Sequence, residues 1–114
     1  MFKDITIIGD GAMASVCAMI LRQKGLAVKM WGYDPKQLGE IEAKGENIKF
    51  LPGYKMPEGV VYQPDDAKAM LSADLILSAV PCQFVRCVWS RLNKYSPDNI
   101  PIVSVTKGID NEKL

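Results

Sequence analysis

A short β-branched run, Ile5-Thr6-Ile7-Ile8, leads directly into Gly9-Asp10-Gly11-Ala12-Met13-Ala14, and that Gly-x-Gly-x-x-Ala turn opens an alanine- and leucine-rich helical stretch. Strand, tight glycine turn and helix, in that order, form the arrangement with which a chain grips a dinucleotide pyrophosphate. Gly9 permits the sharp exit from the strand, Gly11 keeps a Cβ out of the path of the phosphates, and Ala14 is small enough for the helix to pack on the sheet. The first N–H groups of the helix, which lack intrahelical partners, would face the anion. A plain strand-to-helix connection uses similar glycines, so the context matters. Ala14, Val16, Cys17, Ala18, Ile20 and Leu21 continue at helical spacing, Lys24-Gly25 reads as a helix stop, and a second strand, Ala27 to Trp31, begins at once. Asp10 sets a negative charge beside the expected phosphates. That costs on the order of 1 kcal/mol if the side chain faces them, and little if it points to solvent.

The rest of the chain alternates strands and helices. Gly32-Tyr33-Asp34-Pro35 reads as a turn in which Asp34 caps a helix with Pro35 at its first position, running to about Ala43 before Gly45. Residues 46 to 59 are broken by Pro52, Gly53, Pro57 and Gly59 and read as a loop or lobe insertion. Val60 to Tyr62 is a third strand, a short helix follows Gln63-Pro64-Asp65 to about Ser72, and Leu75 to Val80 is an apolar fourth strand ended by Pro81. A helix from about Gln83 to Leu92 and a fifth strand, Pro101 to Val105, complete a doubly wound parallel α/β sheet.

In such a sheet the end of the second strand meets the adenosine ribose. Asp34 is acidic and no arginine is near, which leans to NAD over NADP. Asp34 as a helix cap is an equal or better reading, and Lys29 or Lys36 could still meet a phosphate. Tyr33 is either an adenine platform or an exposed turn tyrosine. Phe84, just after the fourth strand, either covers a cofactor face or packs in the core. Lys107, in Thr106-Lys107-Gly108 past the carboxyl end of the fifth strand, is either placed for chemistry or a solvated loop lysine.

With 114 residues, 48% apolar and 24% charged, the chain fits one globular domain with a real core. A net charge of +1 supplies no basic face for nucleic acid and no polybasic segment for a membrane. No apolar run approaches the roughly 20 residues that span a bilayer, and the opening residues do not read as a signal peptide, so a cytoplasmic location is expected. Cys17, Cys82 and Cys87 are odd in number and lack Cys-x-x-Cys spacing, which predicts neither disulfides nor a metal site. Cys17 and Cys87 read as buried or half-buried thiols, and Cys82 as one that a helix start could activate. There is no histidine, so imidazole bases and Cys-His or Ser-His nucleophiles cannot be assembled within the chain.

Five motifs in order, Gly9 to Ala14, Trp31-Gly32-Tyr33, Glu46 to Gly53, Ala79 to Phe84 and Thr106-Lys107-Gly108-Ile109, resemble the amino-terminal domain of soluble NAD(P)-dependent glycerol-3-phosphate dehydrogenases across nearly the whole chain. The resemblance implies a Rossmann-like fold and reversible hydride transfer between NAD(P)H and dihydroxyacetone phosphate, giving sn-glycerol 3-phosphate for phospholipid synthesis. Its cofactor is NAD or NADP, its partner a small-molecule substrate rather than nucleic acid or membrane, and a homodimer is compatible with it. By position, Gly9, Asp10, Gly11, Ala12, Met13 and Ala14 would hold the pyrophosphate, Tyr33 would meet the adenosine, and Phe84 would pack beside the cofactor. Lys107 would contact both the nicotinamide end and the substrate.

Family members usually carry a bulky aromatic where Met13 stands and glycine where Ala14 stands, and Asp10 is unusual, which predicts weakened cofactor binding. The resemblance also implies a mostly helical second domain that supplies the acid/base lysine and the grip on the substrate phosphate; neither is expected within these 114 residues. Lys107 alone, with an ordinary lysine pKa near 10.4, is a poor proton acceptor at neutral pH, so little turnover by this chain is expected. A stand-alone dinucleotide-sensing or regulatory module, and the nucleotide domain of another β-hydroxyacid dehydrogenase, are the competing readings.

Overall fold

A computed structural model describes residues 3–95 and 99–105, the side chain of Cys82 excepted. Five parallel strands form one sheet in the order β3-β2-β1-β4-β5: β1 is Asp4–Ile8, β2 Ala27–Trp31, β3 Val61–Tyr62, β4 Leu75–Ser78 and β5 Ile102–Ser104. Helices α1 (Ala12–Gln23), α2 (Pro35–Lys44), α3 (Asp66–Met70) and α4 (Val85–Leu92) make the connections, with 3-10 turns at Cys82–Phe84 and Asn93–Tyr95. Among the described residues no helix is long and apolar enough to cross a membrane.

Alternation along the strands builds a core on each face, because successive side chains of a strand point to opposite sides. Ile5 and Ile7 of β1 and Val28 and Met30 of β2 pack with Ala14 and Ala18 of α1 and Leu38 and Ile41 of α2. Ile8, Trp31 and Ile76 point the other way, onto Ala69 and Met70 of α3 and Val88 and Leu92 of α4. The polar residues interleaved on that second face are bonded. The Thr6 hydroxyl donates to the Ala69 carbonyl at 2.7 Å, and the Trp89 indole donates to Ser78 Oγ at 3.0 Å.

Local chemistry sets the element ends. The Asp34 carboxylate accepts from the Lys36 N–H at 3.0 Å with Pro35 at the first helical position, and Gly45 closes α2 in the left-handed region at φ 66°. Helix α3 stops at Met70, two residues short of expectation, because Leu71 is extended and Ser72 sits at φ 64°. Strand β4 pairs only to Ser78, where β5 ends at Ser104, although the Ala79 N–H still reaches the Ile8 carbonyl. The expected helix from Gln83 starts as a tight 3-10 turn, with the Phe84 N–H on the Pro81 carbonyl, before α4 proper. Residues 46 to 56 form an anchored loop: Glu46 and Lys55 pair as an antiparallel bridge, the Met56 N–H bonds the Gly45 carbonyl, and Met56 enters the core.

Candidate functional site

Strand order runs outward in opposite directions on either side of β1, so the crevice between the carboxyl ends of β1 and β4 is the switch point of the sheet, where open α/β folds take ligands. The Gly9–Ala14 turn lies there. Gly9 adopts φ +136°, and a Cβ on it would stand 2.7 Å from the Ala79 carbonyl oxygen, so only glycine lets the turn pass this close to β4. The Gly9 N–H bonds the Trp31 carbonyl at 2.8 Å, fixing the turn to β2 as well. Gly11 differs: its φ of −86° and ψ of −163° are open to any residue, and a Cβ there would meet no atom of the described residues within 4 Å. Chain packing therefore does not require glycine at this position, whereas close approach of a ligand would.

Helix α1 starts at Ala12 with no side-chain cap and no acidic residue in its first turn, while Asp34 caps α2 and Asp65 caps α3. Ala12 and Met13 are exposed beside this end, and Ala14 is fully buried, its Cβ 3.6 Å from where a Gly9 Cβ would be. The small residue at position 14 thus seats α1 on the β1 turn. Uncapped N–H groups, an open face at Gly11 and the positive end of a twelve-residue helix suit a diphosphate.

Asp10 follows neither course expected of it. Its side chain lies against Gly32 at the end of β2, where a Gly32 Cβ would stand 2.5 Å from Asp10 Oδ2. That oxygen is buried and has no hydrogen-bond partner among the described residues. Burial, opposed by a backbone hydrogen bond and reinforced by the Asp34 charge, pushes the Asp10 pKa up to about 6, with Lys49 pulling it down slightly.

The backbone of the turn is clamped from behind by Asn47, a fully buried amide that the sequence reading left without a role. Its Nδ2 donates to the Asp10 carbonyl and to Ser15 Oγ, both at 2.8 Å, and its Oδ1 accepts from Gln37 Nε2 at 3.0 Å. One amide thereby ties the loop after α2, the body of α2 and the first turn of α1 to the glycine turn. A polar residue inside a Pro- and Gly-rich segment was the available signal.

Tyr33 is half exposed beyond β2 and stands edge-on to Trp31, their ring centroids 6.3 Å apart. The Arg91 guanidinium lies over both rings, 5.2 Å from Tyr33 and 5.4 Å from Trp31, and pairs with Asp66 through two bonds of 2.6 and 2.8 Å. Arg91 first, and then the Trp31 indole that donates at 3.0 Å, hold the Asp66 carboxyl below the usual carboxylate range. Phe84 is about half exposed at the carboxyl end of β4, outside either core. Lys29 is not free for a phosphate, because its ammonium donates to the Lys68 and Leu71 carbonyls that end α3. Cys17 is half-buried, but Cys87 is exposed on α4, 3.9 Å from the Tyr33 hydroxyl, so its expected burial does not hold. Lys107 and the Cys82 side chain lie outside the described residues.

A cavity of about 160 Å³ sits at the opposite end of the sheet, lined by Asp4, Thr6, Ala27, Lys29 and Ser72 among others. It is smaller than the roughly 300 Å³ at which ligand pockets begin and is remote from the glycine turn. At the carboxyl edge Ala12, Met13, Tyr33 and Phe84 are exposed, while Gly9 and Gly32 are buried.

Residues 4–114 match the family model described as the NAD-dependent glycerol-3-phosphate dehydrogenase N-terminus. The chain is 36% identical over 110 residues to the glycerol-3-phosphate dehydrogenase [NAD(P)+] of Desulfotalea psychrophila, covering 96% of the chain and 32% of that relative. It is 36% identical over 114 residues to that of a Geobacter species, covering 34% of the relative. The chain thus spans about a third of the length of these relatives. The crystal structure of glycerol-3-phosphate dehydrogenase from Coxiella burnetii superposes with a TM-score of 0.86 at 29% identity over 95% of the chain and 33% of that structure. A 3-hydroxyisobutyrate dehydrogenase from Mycobacterium tuberculosis, with a TM-score of 0.70 at 16% identity, shares the fold alone.

Proposed function

The chain belongs to the NAD-dependent glycerol-3-phosphate dehydrogenase family, matching its amino-terminal NAD-binding part, and on that premise we propose that it holds the dinucleotide of an enzyme that reversibly reduces dihydroxyacetone phosphate to sn-glycerol 3-phosphate. The observation that carries this reading is the glycine turn at the switch point. Gly9 is glycine because the sheet demands it, and Gly11 is glycine where the chain itself makes no such demand.

In this reading the backbone from Gly9 to Ala14 holds the pyrophosphate, with Ala12 and Met13 offering N–H groups at the uncapped helix start. Tyr33, steadied by Trp31 and Arg91, meets the adenosine, and Phe84 shields the cofactor from water. The bound dinucleotide supplies a transferable hydride. Lys107 is assigned to the nicotinamide end and the substrate on family position alone, and the acid/base lysine and the phosphate grip to residues outside these 114. The product would feed phospholipid synthesis. Free thiols at Cys17 and Cys87 are consistent with a reducing, cytoplasmic setting.

The test is titration of the purified chain with NADH, followed by calorimetry and by quenching of Trp31 and Trp89 fluorescence. Saturable binding with little NADH oxidation in the presence of dihydroxyacetone phosphate is expected. No binding up to millimolar NADH would refute the nucleotide assignment, and steady turnover would refute the assignment of the acid/base group elsewhere.

A further inference from the structure

Asp10 stands between the two glycines of the turn, and its buried oxygen Oδ2 has no hydrogen-bond partner among the described residues. A carboxylate taken out of water without donors is disfavoured against its neutral acid, because desolvation penalises the charged form. The slot against Gly32 that receives this side chain therefore suits the protonated carboxyl better than the carboxylate. Half protonation accordingly falls at about pH 6 instead of the ordinary 3.8, within reach of neutral pH.

The surrounding charges leave that preference in place. Asp34, from the connection between β2 and α2, opposes a second negative charge, and Lys49, from the loop after α2, favours one to a smaller extent. Among the described residues, the first turn of α1, Gly32 and the end of β4 bring no charge to the carboxyl. Lys36, exposed in the first turn of α2, is a cation open to a bound phosphate; it raises affinity in both states of Asp10 and leaves the difference between them. Covalent geometry sets how near the charge lies to the phosphates. Whatever the rotamer, the Asp10 carboxyl carbon is within about 5 Å of the Gly11 nitrogen, so a phosphate held on the N–H groups of the turn sees it at roughly 5–8 Å. At that separation, in the intermediate dielectric of a partly buried site, one negative charge weakens anion binding about tenfold.

We infer that the Asp10 carboxyl, seated against Gly32, is a pH-sensitive control on the glycine turn: the neutral acid admits the dinucleotide pyrophosphate, and loss of its proton weakens that binding. This rests on the dinucleotide reading above and adds to it the regulation of the same site. No contact between Asp10 and the ligand is involved, since the charge acts through the turn that carries it. Linkage makes the effect reciprocal: a diphosphate on the turn holds the proton on Asp10, so binding near the midpoint takes up part of a proton.

ADP-ribose is the probe, because it carries the adenosine and the pyrophosphate, has no redox chemistry, and keeps its charge between about pH 5 and about pH 8. Calorimetric titrations across that range compare the wild-type chain with Asp10→Asn, whose amide fills the slot without a charge, folding being checked by far-UV circular dichroism at each pH. The wild-type Kd should rise about five- to tenfold from about pH 5 to about pH 8, and that of Asp10→Asn by less than about twofold. Near pH 6.5 the wild type should take up about half a proton on binding, read as a heat that varies with the ionisation enthalpy of the buffer, and the variant none. A wild-type Kd constant within about twofold, or a rise of equal size in Asp10→Asn, overturns the role of Asp10 and leaves the dinucleotide site intact. Failure of ADP-ribose to saturate either folded protein up to millimolar at any pH overturns the dinucleotide reading itself.

Discussion

The two glycines of the turn respond to the same substitution in opposite ways. Gly9→Ala forces an L-residue into φ +136°, at a cost of roughly 1–3 kcal/mol, and drives its methyl to 2.7 Å from the Ala79 carbonyl. That carbonyl cannot move freely, because the neighbouring Ala79 N–H is bonded to Ile8 at 2.9 Å. The combined loss, about 3 kcal/mol or more, is a large part of the 5–15 kcal/mol that holds a domain folded. Gly11→Ala keeps an ordinary conformation and its methyl meets nothing among the described residues within 4 Å. Alanine is a poorer N-cap than glycine by roughly 0.5–1 kcal/mol, and the stiffer unfolded chain returns roughly 0.4–1 kcal/mol, so the two nearly cancel.

Function inverts that order. The Gly11 methyl stands in the path assigned to the pyrophosphate, and moving the phosphates off even one charge-assisted N–H contact costs roughly 1.5–3 kcal/mol, a loss of about tenfold to a hundredfold in NADH affinity. Thermal melts and NADH calorimetry on the two variants decide the matter. Gly9→Ala should melt at least about 10 °C lower, while Gly11→Ala should melt within about 5 °C of the parent but bind NADH at least tenfold more weakly. A folded Gly11→Ala that binds NADH as the parent does would refute the placement of the phosphates, and a Gly9→Ala with an unchanged melt would refute the packing argument.

Replacing Asn47 by Ala leaves Gln37, Ser15 and the Asp10 carbonyl short of their partner and should lower stability by about 2–4 kcal/mol in urea unfolding; a change under about 0.5 kcal/mol would mean that the clamp is idle. Because the folded pKa of Asp10, about 6, lies above the ordinary 3.8, its contribution to stability is full below about pH 4 and is lost as pH rises through 6. For this partly exposed group the decline should be about 1–2 kcal/mol and absent in Asp10→Asn; a decline that persists in the variant belongs to another group. Asp66 acts in the reverse sense, its contribution being lost as pH falls below about 4. If adenosine lies against Tyr33, saturating NADH should slow alkylation of Cys87, 3.9 Å from the tyrosine hydroxyl, more than that of half-buried Cys17; equal protection would place the adenosine elsewhere.

Sequence pattern sufficed where structure is decided by neighbours along the chain. Strand β2 runs from Ala27 to Trp31 as read, and Asp34-Pro35 opens α2, because alternation and capping are local. The end of α3 was missed since nothing in Leu71-Ser72 announces a left-handed serine. Asn47 was invisible as a clamp because its partners lie 10 to 37 positions away. The direction of Asp10 was equally hidden. It depends on a missing side chain at Gly32, 22 positions on, which leaves room for a carboxylate that any Cβ there would displace.

Those two non-local features explain how the turn can hold an acid beside a phosphate site. Asn47 takes up the Asp10 carbonyl and so fixes the backbone that points the side chain, while Gly32 provides the space that receives it. Remove either, and the carboxylate is free to swing toward the start of α1, where its charge opposes the phosphates that the helix end favours. Asn47→Ala should therefore weaken NADH binding beyond what its loss of stability explains, and Asp10→Asn made in the same chain should restore part of that loss. If the double variant binds no better than Asn47→Ala alone, the clamp acts on the phosphate contacts directly, and the direction of Asp10 is of no consequence to it.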